Sequence, residues 1–172
     1  MTNPTRRKAL KLIATGAAGL ALAPHTSPLR AAGESSSMLQ RAIPSSGEKL
    51  PVIGLGTWQT FDVGNSPAER APLEQVLSAF VKMGGRVIDS SPMYGRSEEV
   101  VGELAAKLGL HDKLFVATKV WTRGKEAGIA SMDRSFGRLR IKKLDLMQVH
   151  NLVDVETQLA TMREWKAQGV TV

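Results

Sequence analysis

Four residues in this chain of 172 combine reactive side chains with telling positions: Asp89, Tyr94, Lys119 and His150. Asp89 closes the apolar run Arg86-Val87-Ile88, which follows Gly84-Gly85 and reads as a buried strand. Tyr94 follows beside Gly95, in the loop after that strand. Lys119 ends Leu114-Phe115-Val116-Ala117-Thr118, and His150, followed by Asn151, ends Leu144-Asp145-Leu146-Met147-Gln148-Val149. A lysine at the end of an apolar strand needs a partner, because a buried unpaired ammonium is costly; Asp89 is the candidate. A phenol with its ordinary pKa of about 10 is a weak acid near neutrality unless a cation favours its ionised form. Lys119 supplies that cation, and His150 can orient a substrate or share the proton, with its tautomer open. Taken singly, each residue also has a plainer role. Tyr94 could be a rim residue, Asp89 and Lys119 a structural ion pair, and His150 the partner of a backbone carbonyl.

Repeated strand and helix units must position these groups. Pro51-Val52-Ile53-Gly54-Leu55-Gly56-Thr57-Trp58-Gln59 reads as the first strand, with Gly54 and Gly56 marking a close approach or a crowded closure. Phe61 to Ser66 is loop. Leu73, Val76, Leu77, Phe80 and Val81 then recur at helical spacing up to Gly84. Ser97, ahead of Glu98 and Glu99, reads as the N-cap of a helix carrying Val100, Val101, Leu104 and Leu108 and ending near Gly109. Ile129, Met132, Phe136 and Leu139 give a third helix, whose Arg134, Arg138 and Arg140 form a solvated basic face. Leu159, Met162 and Trp165 or Lys166 give a weaker fourth, closed by Gly169. Four strand–helix units in strict alternation imply an α/β fold with a parallel sheet and right-handed crossovers. In a barrel of such units, ionisable groups at the strands' carboxyl ends sit on the catalytic face.

From about Leu50 to Gly169 the chain resembles the aldo/keto reductase superfamily. Asp89, Tyr94, Lys119 and His150 match that family's catalytic tetrad in order and approximate spacing. The resemblance implies a TIM (β/α)8 barrel of which about the first four βα units are present, a half barrel over 50–172. It implies NADP(H) as cofactor and a small carbonyl compound as substrate, reduced by hydride transfer with Tyr94 as general acid. Gly56, Thr57, Trp58, Asp89 and Asn151 would lie beside the cofactor, and Trp58, Trp121 and His150 would line the substrate pocket. Gly54-Leu55-Gly56 lacks the third glycine and the helix context of a Rossmann fingerprint. A complete barrel takes roughly 250 residues, so the sequence is expected to be a fragment or a prematurely terminated product. The second reading is a non-catalytic remnant, or an interaction module that pairs its open half-barrel edges with another half barrel.

The net charge of +7 is unevenly spread. Residues 1–33 hold Arg6, Arg7, Lys8, Lys11 and Arg30 and no acid, so +5 resides there and the rest of the chain carries +2. With one tyrosine, four phenylalanines and no basic stripe beyond Leu50, the pattern argues against nucleic-acid binding. The basic start followed by an apolar Leu12–Ala23 stretch resembles a twin-arginine export signal over 1–33, a client of that export machinery bound for the periplasm. Cleavage falls after Ala21-Leu22-Ala23 or near Ala31-Ala32; left uncleaved, the segment would anchor the protein in the membrane. Residues 34–49 read as a flexible linker, too poor in large apolar groups to fold alone. The absence of cysteine excludes disulfides and thiolate metal sites, and no histidine spacing calls for a metal.

Overall fold

A computed structural model describes residues 38–169. The stretch expected to be an export signal, the first part of the expected linker and the closing Val170-Thr171-Val172 lie outside them. The second part of that linker is ordered as a hairpin: β1 (Gln40–Ala42) pairs antiparallel with β2 (Lys49–Pro51), with Arg41 opposite Leu50. Its turn closes with the Gly47 amide donating to the Ile43 carbonyl, and Gly47 takes a positive φ of 74° that glycine adopts without a steric penalty. Arg86 reaches the hairpin from the main sheet, pairing with Glu48 at 3.3 Å. Low apolar content thus left local backbone pairing available to the 40–51 stretch.

The main sheet contains β3 (Leu55–Gly56), β4 (Val87–Asp89), β5 (Phe115–Val120) and β6 (Leu146–Val149), parallel and adjacent in chain order. The register aligns Gly56, Asp89, Ala117 and Leu146 across the four strands. Helices α1 (Pro67–Lys82), α2 (Ser97–Leu108), α3 (Lys125–Leu139) and α4 (Val155–Ala167) alternate with the strands, as the sequence periodicity predicts. The first strand is much shorter than the Pro51–Gln59 run: Pro51 pairs in the hairpin strand β2 instead, and the ladder of β3 ends at Gly56, ahead of a turn at 58–60 in which Gln59 takes a left-handed φ of 62°.

Leu77 and Phe80 of α1, Val100, Val101 and Leu104 of α2, and Ile88 and Val116 of the sheet form the main core, closed by Phe61 from the loop after β3. A smaller cluster of Val120, Met132 and Met162 lies under α3 and α4. Gly109 ends α2 in the left-handed conformation, with φ 62°, as its position after Leu108 foretells. Helices α2 and α3 approach so closely at Gly102 that an added methyl would overlap the Arg138 carbonyl. The basic face of α3 is not simply solvated: Arg138 pairs with Glu98 at 3.4 Å and Arg140 with Glu103 at 3.3 Å. Among the described residues no helix is long and apolar enough to cross a membrane.

Candidate active site

The carboxyl ends of β4, β5 and β6 bring Asp89, Tyr94, Lys119 and His150 into one cleft. Strand β5 delivers Lys119 into a nearly closed environment, 9% exposed. Its ammonium donates to Asp89 Oδ2 at 2.6 Å and to the Ser90 carbonyl at 2.7 Å. The same Nζ lies 5.2 Å from the centroid of the Tyr94 ring. His150 meets that ring edge-on, 5.6 Å between centroids at 89°, and the Trp58 ring lies 6.4 Å from it, tilted by 43°. Tyr94 is thus bordered by a cation, an imidazole and an indole.

Two supporting contacts escape sequence reasoning. Gln148 Nε2 donates to Asp89 Oδ1 at 3.0 Å, so each carboxylate oxygen of Asp89 has a partner. Gln148 is the register partner of Lys119 across β5 and β6, a pairing that no local sequence pattern marks. Ser91, fully buried, has its hydroxyl 2.8 Å from His150 Nδ1; its only sequence signal is a small polar residue close behind a catalytic-looking aspartate. Burial holds the His150 pKa below the ordinary imidazole value, the nearby Lys119 cation lowers it further, and Asp89 partly offsets both. These surroundings favour the neutral ring.

The remaining expected residues divide. Gly56 sits beside Asp89 in the register, and a Cβ there would meet no protein atom within 4 Å, which leaves open space at the end of β3. Trp58 and Trp121 are exposed at 63% and 46%, as rim residues of an open cleft would be. Thr57, expected to lie beside the cofactor, is fully buried. Its hydroxyl contacts the Asp89 carbonyl and Ser90 Oγ, both at 3.0 Å, and so ties β3 to the loop after β4. Asn151 follows His150 in an exposed turn, where Asn151, Leu152 and Asp154 all take positive φ near 50°. Ser97 begins α2 but does not cap it: its hydroxyl donates to the Thr57 carbonyl at 3.2 Å. That bond locks the helix to the loop from Thr57 to Phe61.

A parallel sheet alternating with helices, with a phenol, an ion pair and an imidazole gathered at the strands' carboxyl ends, is an α/β arrangement of the kind from which barrels are built. The Aldo/keto reductase family pattern matches residues 52–171, and the chain belongs to that family. Methylglyoxal reductase YeaE of Escherichia coli is 35% identical, over 77% of this chain and 47% of that protein. NADP-dependent D-sorbitol-6-phosphate dehydrogenase of Malus domestica is 36% identical, over 74% of this chain and 46% of that one. The crystal structure of an aldo-keto reductase from Klebsiella pneumoniae in complex with NADPH superposes with a TM-score of 0.65 at 29% identity, covering 78% of this chain and 48% of that chain. The chain thus spans about half the length of the relatives it matches.

Proposed function

We propose that this chain carries the catalytic residues of an NADP(H)-dependent reductase that turns small aldehydes and ketones into alcohols. One observation supports it above the others: Lys119, held by Asp89, lies beneath the ring of Tyr94 while His150 stands at its edge. The open space at Gly56 and the exposed indoles of Trp58 and Trp121 fit a flat nicotinamide ring at the mouth of the cleft. The cofactor, when bound, supplies the hydride to the carbonyl carbon.

The chain's own residues manage the proton. As negative charge develops on the carbonyl oxygen, the Tyr94 hydroxyl donates its proton to it. The Lys119 ammonium then lies beside the phenolate and stabilises its charge. Asp89 and the Ser90 carbonyl keep that ammonium in place, and Gln148 keeps Asp89 from turning away. The neutral His150 hydrogen-bonds the same carbonyl oxygen and orients it toward Tyr94. Positioned acid catalysis of this kind contributes about 10² to 10⁴ in rate.

The test is a titration of the full chain with NADPH, followed by tryptophan fluorescence, together with NADPH oxidation in the presence of methylglyoxal as a small aldehyde probe. Saturable quenching, with turnover abolished in Tyr94→Phe, is the expected result. A folded chain that neither binds NADPH nor turns over would overturn this reading in favour of an interaction module. The paired Arg6 and Arg7 support export by the twin-arginine route; a fusion of residues 1–33 to a reporter, scored with both arginines replaced by lysine, tests it.

A further inference from the structure

Ser91 is absent from the proton path just described, yet its hydroxyl touches one of that path's members. The side chain is fully buried in the loop between β4 and α2, with Oγ 2.8 Å from His150 Nδ1. The same oxygen accepts a longer contact from the Met93 backbone amide at 3.4 Å. A hydroxyl has one proton to give, and burying it without an acceptor is costly. Among the described residues, the only acceptor within reach of the Ser91 hydroxyl proton is His150 Nδ1. The opposite arrangement, Nδ1–H donating to Oγ, would bring two donors onto one oxygen and leave the buried hydroxyl proton without a partner.

We infer that Ser91 is a positioning residue that fixes the tautomer of His150, donating to Nδ1 so that Nε2 carries the ring proton. The nitrogen left free is then a hydrogen-bond donor. His150 would therefore recognise the oxygen of a carbonyl substrate and give a neighbouring N–H or hydroxyl donor nothing to bind. Desolvation and the Lys119 cation work in the same direction, because a ring kept neutral has a single proton, and which nitrogen holds it decides what the cleft recognises. The neighbouring Ser90 does not share this role, since its hydroxyl is taken up by Thr57 Oγ1 at 3.0 Å. The inference rests on the reductase reading for its use in catalysis, but its physical content concerns the ring alone.

The experiment is long-range proton–nitrogen correlation NMR on the ¹⁵N-labelled full chain at about pH 8, where imidazoles with ordinary pKa values are also neutral. His150 is assigned by the loss of its signals in His150→Gln; only His25 and His111 compete. The expected spectrum shows Nε2 as pyrrole-type and Nδ1 as pyridine-type. Ser91→Ala should shift both nitrogens toward averaged positions as the second tautomer becomes populated, and Ser91→Thr, which restores the hydroxyl, should return them. A wild-type ring protonated on Nδ1 would overturn the inference without recourse to any variant. So would a folded Ser91→Ala chain whose His150 nitrogens stay where they were. Loss of NADPH binding with the Nε2–H tautomer intact would count against the reductase reading and leave the role of Ser91 standing.

Discussion

Adjacent residues of β5 support two charged networks on opposite faces of the sheet, and the two differ in kind. Thr118 points toward the helices and donates to Glu98 at 2.6 Å; Glu98 is wholly buried and also pairs with Arg138. Lys119 points the other way and pairs with Asp89, whose side chain is 39% exposed. In the first network a buried carboxylate is enclosed by the chain's own donors. In the second, the cation is sequestered while the carboxylate, the phenol and the imidazole border open space. In the first the carboxylate is the hidden partner, in the second the cation. A buried ion pair with one exposed partner therefore does not by itself mark a functional site, since Arg138 is 41% exposed as well; the phenol and imidazole gathered beside Lys119 set the second pair apart.

The comparison predicts that the two faces fail differently. Tyr94→Phe should lower carbonyl reduction by about 10² to 10⁴ with the thermal midpoint unchanged, read by NADPH oxidation and calorimetry. A loss of stability in place of activity would dissolve the distinction. Thr118→Val should do the reverse. It leaves a buried Glu98 oxygen without its donor at a cost of about 1 to 3 kcal/mol, read by urea unfolding, with the NADPH titration unaltered.

A smaller effect separates the faces by pH. His150 titrates below its ordinary value when folded, so in the interval between the two pKa values the unfolded chain holds a proton that the folded chain lacks. Stability should therefore fall as the pH drops through the ordinary imidazole range and level off below the folded pKa. In His150→Asn that part of the slope should vanish from unfolding curves taken at successive pH values. The smallest effect concerns the turn after β6. Leu152 holds a φ of 53° while 73% exposed, so Leu152→Gly relieves strain and removes little packing. Stability should rise by up to about 1 kcal/mol, again by urea unfolding.

What the sequence revealed of this site follows from the range of each signal. Asp89, Lys119 and His150 could be read because each ends an apolar run, and Tyr94 because it stands in the loop that follows one. The four helices were legible from their periodicity and, for α2, from the glycine that ends it. Ser91 and Gln148 were not, because their meaning lies in partners 59 residues away. The separation is the same in both cases since β4 and β6 run parallel, and no local pattern encodes it. The short β3 escaped for another reason: the Pro51–Gln59 run is divided between two sheets, with Pro51 in the hairpin and only Leu55 and Gly56 in the main ladder. Ser97 has the right residue type for a cap, but its hydroxyl finds the Thr57 carbonyl across the fold. Tertiary geometry overrode a local preference there.

Thr57 has a consequence for motion. Strand β3 has only two residues in the ladder, and on its own it would be among the first segments to open. Yet the Thr57 amide donates to the Asp89 carbonyl at 3.1 Å, and the Thr57 carbonyl accepts from both Ser97 Oγ and the Phe61 amide. In native-state hydrogen exchange the Thr57 amide should therefore outlast its exposed neighbours Gly56 and Trp58 and exchange on the slow timescale of β4. The edge of the cleft would then open together with the strand that carries Asp89, so that a ligand would meet a rim already set in place.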